Sequence, residues 1–222
     1  MDALRLSPHV CALNGLIDCS VSRPILSDQL SQDAAPRKPA SGAMASAVNM
    51  LDDVHGGAGE QAVELYHWVH DAVQKGNELE EAAAQMIDRW QNERTKFIPG
   101  FGHRFHKPED PRTPRLLGLI DEAAQAGTVD GCFAHIGRAI QQTLNARKGK
   151  PVPMNIDGAT AVIYAELGFA GPLARGLFCL SRSVGILAHA WEQMNQNERN
   201  KGPTPPAYRW TYSGPNPIEG SN

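Results

Sequence analysis

The chain has 222 residues, 41% of them hydrophobic, and 21 basic side chains against 24 acidic ones, a formal net charge of −3. A domain typically takes about 150 residues, so the length allows one ordinary domain or two small ones with enough apolar material for a core, and wholesale disorder is excluded. The near-neutral charge removes the basic field that a nucleic-acid or anionic-membrane partner would need.

No apolar run approaches the ~20 residues that span a bilayer, and the opening MDALRLSPHV lacks the basic-then-apolar pattern of a secretory signal. A cytoplasmic chain with neither a nucleic-acid nor a membrane partner is the expectation. Cys11, Cys19, Cys132 and Cys179 stand apart with no C-x-x-C pair, as reduced, buried thiols do. A disulfide scaffold or a structural zinc site would show denser or paired spacing.

In chain order, apolar residues recur at steps of three and four, which predicts helices near Ala43–Asp53, Gly59–Lys75, Asn77–Trp90 and Pro114–Ala126. Gly76 closes the second of these, and Asn77 with Glu80 reads as an N-cap and its capping-box partner. Phe133, Ile136, Ile140 and Leu144 mark one face of a helix from Cys132, and another is expected near Ala159–Leu167. Leu173, Leu177, Leu180, Val184, Leu187 and Trp191 continue the pattern over about five turns, in a stretch that reads as substantially buried. No alternation typical of strands is sustained, so the fold is expected to be all-α. Ser27–Ser41 reads as a loop, and Phe97–Pro114 is rich in proline, glycine and charge. The tail from Asn195 to Asn222 carries Tyr208, Trp210 and Tyr212 with almost no helical pattern, as a segment pinned against another subunit would.

Four places could carry chemistry. In FIPGFGHRFHKPEDPR, Gly100 and Gly102 flank Phe101 and precede His103, so the backbone can approach a ligand closely. A histidine on such a loop, with Arg104 and Lys107 near it, is equipped to polarise a carbonyl, and Arg112 at a D-P-R turn suits bidentate carboxylate binding. A surface loop with solvated charges reads equally well from composition. In DDVHGGAGE, His55 stands before a G-G helix start whose dipole favours a neutral imidazole, though an ordinary helix–helix turn has the same look. In MNIDGATAV, Asp157 is a plain N-cap or a carboxylate base raised by apolar surroundings. Arg182 falls within the most apolar helix and needs an anionic partner, structural or ligand. His67 and His70, three apart, lack a third metal ligand and read as an exposed face. No phosphate-binding or G-x-S-x-G motif is present.

Taken in order, HGGAGE at 55–60, PGFGHR through DPR at 99–112, NIDGATAVIYAELGF at 155–169 and LFCLSRSVGILAHAWEQ at 177–193 resemble the signature blocks of the citrate synthase family. The match runs from about Ala43 to Trp191, on a chain shortened at its N-terminus relative to the family's usual length. The NIDG form and the tail are closer to citryl-CoA lyases. The resemblance implies an all-α homodimer. Its large domain would be built from 1–55 and 160–222, and its smaller inserted CoA and catalytic domain from 56–159. It implies that Asp157 takes a methyl proton from acetyl-CoA, His55 hydrogen-bonds the thioester oxygen, and His103 polarises the ketone of oxaloacetate. Arg112 and Arg182 would hold the oxaloacetate carboxylates, with Arg209 or Lys201 from a partner subunit's tail as a further cation. Pro99, Gly100, Phe101, Gly102 and His103 would line the CoA path, and Arg104 or Lys107 would meet CoA phosphates.

The physical demands agree: carbon–carbon bond formation beside a thioester needs a base, donors for a developing enolate, and cations for a dicarboxylate. By microscopic reversibility the same groups cleave citryl-CoA, with the CoA thioester as substrate and no metal or redox cofactor. A variant in the same class would accept a related acyl-CoA or another 2-oxo acid, and the alternative outside it is a truncated non-catalytic CoA-binding paralogue or a helical partner module. A hydrolase using His103, Asp157 and water is a more distant one, since no activated Ser or Cys is visible.

Overall fold

A computed structural model describes residues 40–53 and 56–196 of the chain. Among them are seven helices, named in chain order: α1 (Ala40–Asn49), α2 (Gly57–Gln74), α3 (Leu79–Glu93), α4 (Thr113–Gln125), α5 (Cys132–Lys148), α6 (Ile156–Glu166) and α7 (Gly171–Gln196). The one extended pairing among the described residues is an isolated antiparallel bridge between Phe101 and Met154. The chain is all-α, as its periodicity predicts.

It divides into two compact units, one of residues 51–179 and one of 1–50 with 180–222, and the division falls inside α7. In the first unit α2 is central and packs on α3, α5 and α6, while α4 leans on α5 and α6. The sequence explains that position: Ala62, Leu65, Tyr66, Val69 and Ala72 follow the helical period, and Val63 widens the stripe until Val63, Leu65, Tyr66 and Val69 lose all exposure. Each large apolar side chain so buried contributes roughly 1.5–3 kcal/mol. Phe133, Ile136, Ile140 and Leu144 of α5 are all buried, as their spacing predicts. In the other unit, Ala43 and Ala47 of α1 pack with Ile186 and Ala190 of α7, and Met44 and Val48 border them.

Helix ends show where local rules hold and where they give way. The α2 end matches expectation: Gly76 has φ +97°, its N–H bonds Val73 O at 2.9 Å, and Asn77 N–H bonds Ala72 O at 3.3 Å. This is the paired closure of a left-handed cap. The predicted Asn77–Glu80 capping box does not form, because α3 starts later, at Leu79, with extended Glu78 as N-cap. The predicted burial of the Leu173–Trp191 stripe is also overturned. Leu173, Leu180, Val184, Leu187 and Trp191 are exposed, Leu180 at 68%, and the buried side of α7 is the narrower one of Ala174, Arg182, Ile186 and Ala190. Ile186 and Ala190 on that side pack with Ala43 and Ala47 of α1, and the larger apolar residues on the opposite side are left uncovered. The first helix begins at Ala40 and ends at Asn49, which places Asp52 and Asp53 in the turn after it.

Candidate active site

The site is built on three consecutive residues, Pro153, Met154 and Asn155, which lead into α6. Gly102 N–H donates to Pro153 O at 2.7 Å, and Asn155 N–H donates to Gly100 O at 2.9 Å. Thr113 Oγ1, at the start of α4, donates to Met154 O at 2.9 Å. The glycine-rich segment is therefore anchored at both ends, Gly100–Gly102 and Thr113, on one short stretch of backbone.

Asn155 does more than pair. Its Nδ2 donates to Gly102 O at 2.9 Å, while its Oδ1 accepts from the N–H groups of Asp157 at 3.0 Å and Gly158 at 3.1 Å. The N-cap of α6 is thus Asn155 and not Asp157, which corrects the capping explanation offered for the aspartate. Asp157 sits in the first turn of α6, where the helix dipole favours a carboxylate, and is half-buried. Burial, and then the Asp157 charge, push the Tyr164 phenol up, so the carboxylate is felt two turns along the same helix.

Gly100 and Gly158 make this junction possible. Gly100 has φ +81°, and a Cβ on it would stand 2.7 Å from Gly158 Cα. A Cβ on Gly158 would drive into Gly100 O and lie 2.8 Å from Met154 Cγ. The buried Tyr66 hydroxyl donates to Gly158 O at 3.1 Å, and its ring meets Phe101 edge-on at 6.4 Å. Burial pushes the Tyr66 phenol far up, so it remains a donor at any ordinary pH.

His103 follows directly on the pinned segment and is half-buried. Its Nδ1 accepts from two main-chain N–H groups, Phe105 at 3.0 Å and His106 at 2.9 Å. Those donors cannot reverse, so the neutral ring carries its proton on Nε2, which is then a hydrogen-bond donor. Burial and then the neighbouring His106 lower the basicity of His103; Asp110 pulls the other way, and the Arg112 charge adds the least to the lowering.

Asp110 has no solvent exposure. Arg112 Nε and Nη2 donate to its two carboxylate oxygens at 2.9 and 2.7 Å, and Arg112 N–H adds a third bond at 3.1 Å. Burial alone would push the Asp110 carboxyl up, but the Arg112 hydrogen bonds and charge outweigh it and hold it below the usual range. The fork expected to hold a ligand carboxylate is therefore bonded to the protein's own carboxylate along its Nε–Nη2 edge.

Pro99 and Gly100 are buried within the strap, Phe101 and Gly102 are half-buried, and Arg104 and Lys107 are exposed beside it. Arg182 is 5% exposed and belongs to the other unit. His55, Lys201, Arg209 and the aromatic tail residues lie outside the described residues, as do Cys11, Cys19 and most of Ser27–Ser41. On either side of His55, Asp53 and Glu60 both pair with Arg175 of α7. His67 and His70 do not form an exposed face: both are half-buried and both rings pack on Phe133, at 5.1 and 5.2 Å. Among the described residues no group of three or more His, Cys, Asp and Glu side chains gathers as metal ligands.

Sequence reasoning missed Asn155, Asp110, His106 and Arg175. Only Asn155 had a local signal, an asparagine directly before a helix start. The other three act through contacts that spacing does not reveal.

Residues 34–207 match the citrate synthase, C-terminal domain family. A citrate synthase from Acidithiobacillus ferridurans is 30% identical over 146 residues, covering 65% of this chain and 36% of that protein. The chain thus spans only about a third of such a relative. Among solved structures, a citryl-CoA lyase from Hydrogenobacter thermophilus aligns at TM-score 0.61 and 24% identity, covering 97% of this chain and 87% of that one. A citrate synthase from Thermoplasma acidophilum, solved as a ternary complex with carboxymethyl coenzyme A and oxaloacetate, aligns at TM-score 0.60 and 21% identity over 90% of this chain and 50% of that one.

Proposed function

Since the chain belongs to the citrate synthase family, we propose that it makes or breaks the carbon–carbon bond between acetyl-CoA and oxaloacetate, as a citrate synthase or citryl-CoA lyase does. The observation that carries this reading is the His103 ring, whose Nδ1 is taken by two main-chain donors so that Nε2–H is available to a carbonyl oxygen.

In this scheme Asp157 removes a proton from the acetyl methyl group, and a hydrogen bond from His55 to the thioester oxygen stabilises the enol. The enol carbon attacks the ketone carbon of oxaloacetate while His103 Nε2–H meets the oxygen on which charge develops. One such donor is worth about 10²–10³ in rate, and a positioned base about 10²–10⁴. Arg112, Arg182 and Arg209 or Lys201 serve the carboxylates. The Pro99–His103 strap, with Arg104 and Lys107, serves CoA. In the cleavage direction the citryl hydroxyl gives up its proton to solvent as the carbon–carbon bond breaks and the ketone forms, and Asp157, protonated beforehand, delivers a proton to the departing enol carbon. The chemistry rests on side chains and the CoA thioester, without a metal or redox group.

We further propose a homodimer with large-domain segments 1–55 and 160–222 and a smaller domain 56–159. Its ground is the exposed apolar run Leu180, Val184, Leu187 and Trp191 on α7. A second reading, a CoA-binding module without turnover, draws support from Arg112, whose fork already holds Asp110.

The deciding experiment measures free thiol from acetyl-CoA with and without oxaloacetate, beside citryl-CoA cleavage, for the wild type and Asp157→Asn. Turnover that falls by orders of magnitude in the folded variant, with CoA binding kept, is the expected result. A folded wild type silent in both directions would overturn the enzyme reading and leave the binding module.

A further inference from the structure

The loop carrying His103 holds a second imidazole that the proposed chemistry leaves unused. The ring centroids of His106 and His103 are 4.3 Å apart, with their planes tilted by 35°. The main-chain N–H of His106 is one of the two bound to His103 Nδ1. Nε2 of His106 is buried and has no hydrogen-bond partner among the described residues. A polar nitrogen left buried in that way is destabilising, and a phenylalanine or leucine would fill the same space without it. The ring is therefore poorly explained as packing alone.

We propose that His106 is a positioning residue for His103, its ring forming the wall against which the His103 imidazole lies, so that Nδ1 stays on the two main-chain donors and Nε2 keeps the proton. This rests on the reading of His103 as a hydrogen-bond donor. Contact between the rings fixes the plane of His103, and the plane decides whether Nδ1 meets both N–H groups or one. The ring also acts through charge. The groups that bear electrostatically on His103 are His106, Asp110 and Arg112. Asp110 favours a His103 cation, while Arg112 and a protonated His106 oppose it. A doubly protonated His103 would lose both bonds at Nδ1, because the N–H groups of Phe105 and His106 would then face an N–H. His106 thus works against the one protonation event that would dismantle the donor geometry.

The test follows the imidazole nitrogens of the full-length chain by ¹⁵N NMR across pH, in the wild type, His106→Phe and His106→Leu. His106→Phe keeps a ring in place and removes its charge; the Nε2–H tautomer of His103 should persist and its titration should move upward. His106→Leu removes the wall, and a fraction of His103 should shift to the Nδ1–H tautomer. Tautomer and titration unchanged in both folded variants would overturn the proposal. A wild-type readout covers the case in which neither variant folds: the titration of the His103 nitrogens should depart from a single-site curve, as electrostatic coupling to the adjacent ring requires, and an independent single-site curve would overturn the coupling. If the wild type turns over, His106→Phe should raise the acid limb of kcat/KM with little change in the KM for the CoA substrate. A wild type inactive on acetyl-CoA and citryl-CoA would sink the functional reading, while the imidazole titration would still judge His106 by itself.

Discussion

A histidine can act as a neutral donor near pH 7 only while its other nitrogen is denied a proton. His103 achieves that with two main-chain N–H groups on Nδ1. Because burial, His106 and Arg112 lower its basicity from the ordinary 6.5, the neutral form extends below that value. The acid limb of kcat/KM that belongs to His103 should therefore lie below pH 6.5, and His103→Gln should remove it. The sign for stability is the same: as pH falls through 6.5 the unfolded chain binds the proton first, so the contribution of His103 to folding declines there. Asp110 and Arg112 give a second prediction. Arg112→Ala strands a fully buried carboxylate and should cost about 3–5 kcal/mol in denaturant melts, more than the loss of one surface arginine. That loss should grow with rising pH above the acidic range, since only the ionised Asp110 lacks its partner.

Among the elements, the junction of the Gly100–Gly102 strap with α6 depends on Asn155. Asn155→Ala removes the helix cap, worth about 0.5–2 kcal/mol, and also the donor to Gly102 O. Thermal melts should show the first loss, and turnover should fall further than stability explains, because the strap carries His103. The start of α5 is held differently: its N-cap Gly131 offers no side chain, and Glu166 at the end of α6 accepts from the N–H groups of Gly131, Phe133 and Ala134. Glu166→Leu should lower stability by about 1–3 kcal/mol and leave activity per folded molecule unchanged. These cases also mark what sequence could reveal. Helix positions were legible because apolar period and glycine stops are local signals, and the Phe133–Leu144 face came out as its spacing foretold. The remote cap from Glu166, the late start of α3 at Leu79 and the exposed side of α7 were not legible. Each depends on which surface another segment covers, and hydrophobic spacing carries no information about that.

For the whole molecule, two units each own a core, and α7 runs from one into the other. Among the described residues no helix is long and apolar enough to cross a membrane. The proposed homodimer is tested most simply by sedimentation: the wild type should run as a dimer, and Leu180→Glu with Leu187→Glu should run as a monomer of unchanged helix content. A stable, folded wild-type monomer would overturn it. Family membership was legible from four motif blocks, but the candidate site residues split. Arg112 and Asp157 stood out as residue types in the right order, and Asn155 as an asparagine before a helix start, whereas the bond between Asp110 and Arg112 and the grip of Asn155 on Gly102 became visible only with the fold.

The anchoring of the strap on residues 153–155 also has a consequence for motion. Gly102, Asn155, Asp157 and Gly158 each give an N–H to one small knot of backbone and side-chain oxygens, so none of these amides can open without loosening the others. In hydrogen exchange they should report a single opening event, slow and shared. A ligand gripping His103 should then slow exchange at Asp157 and Gly158, residues separated from it by more than fifty positions in the chain but by only one asparagine in the fold.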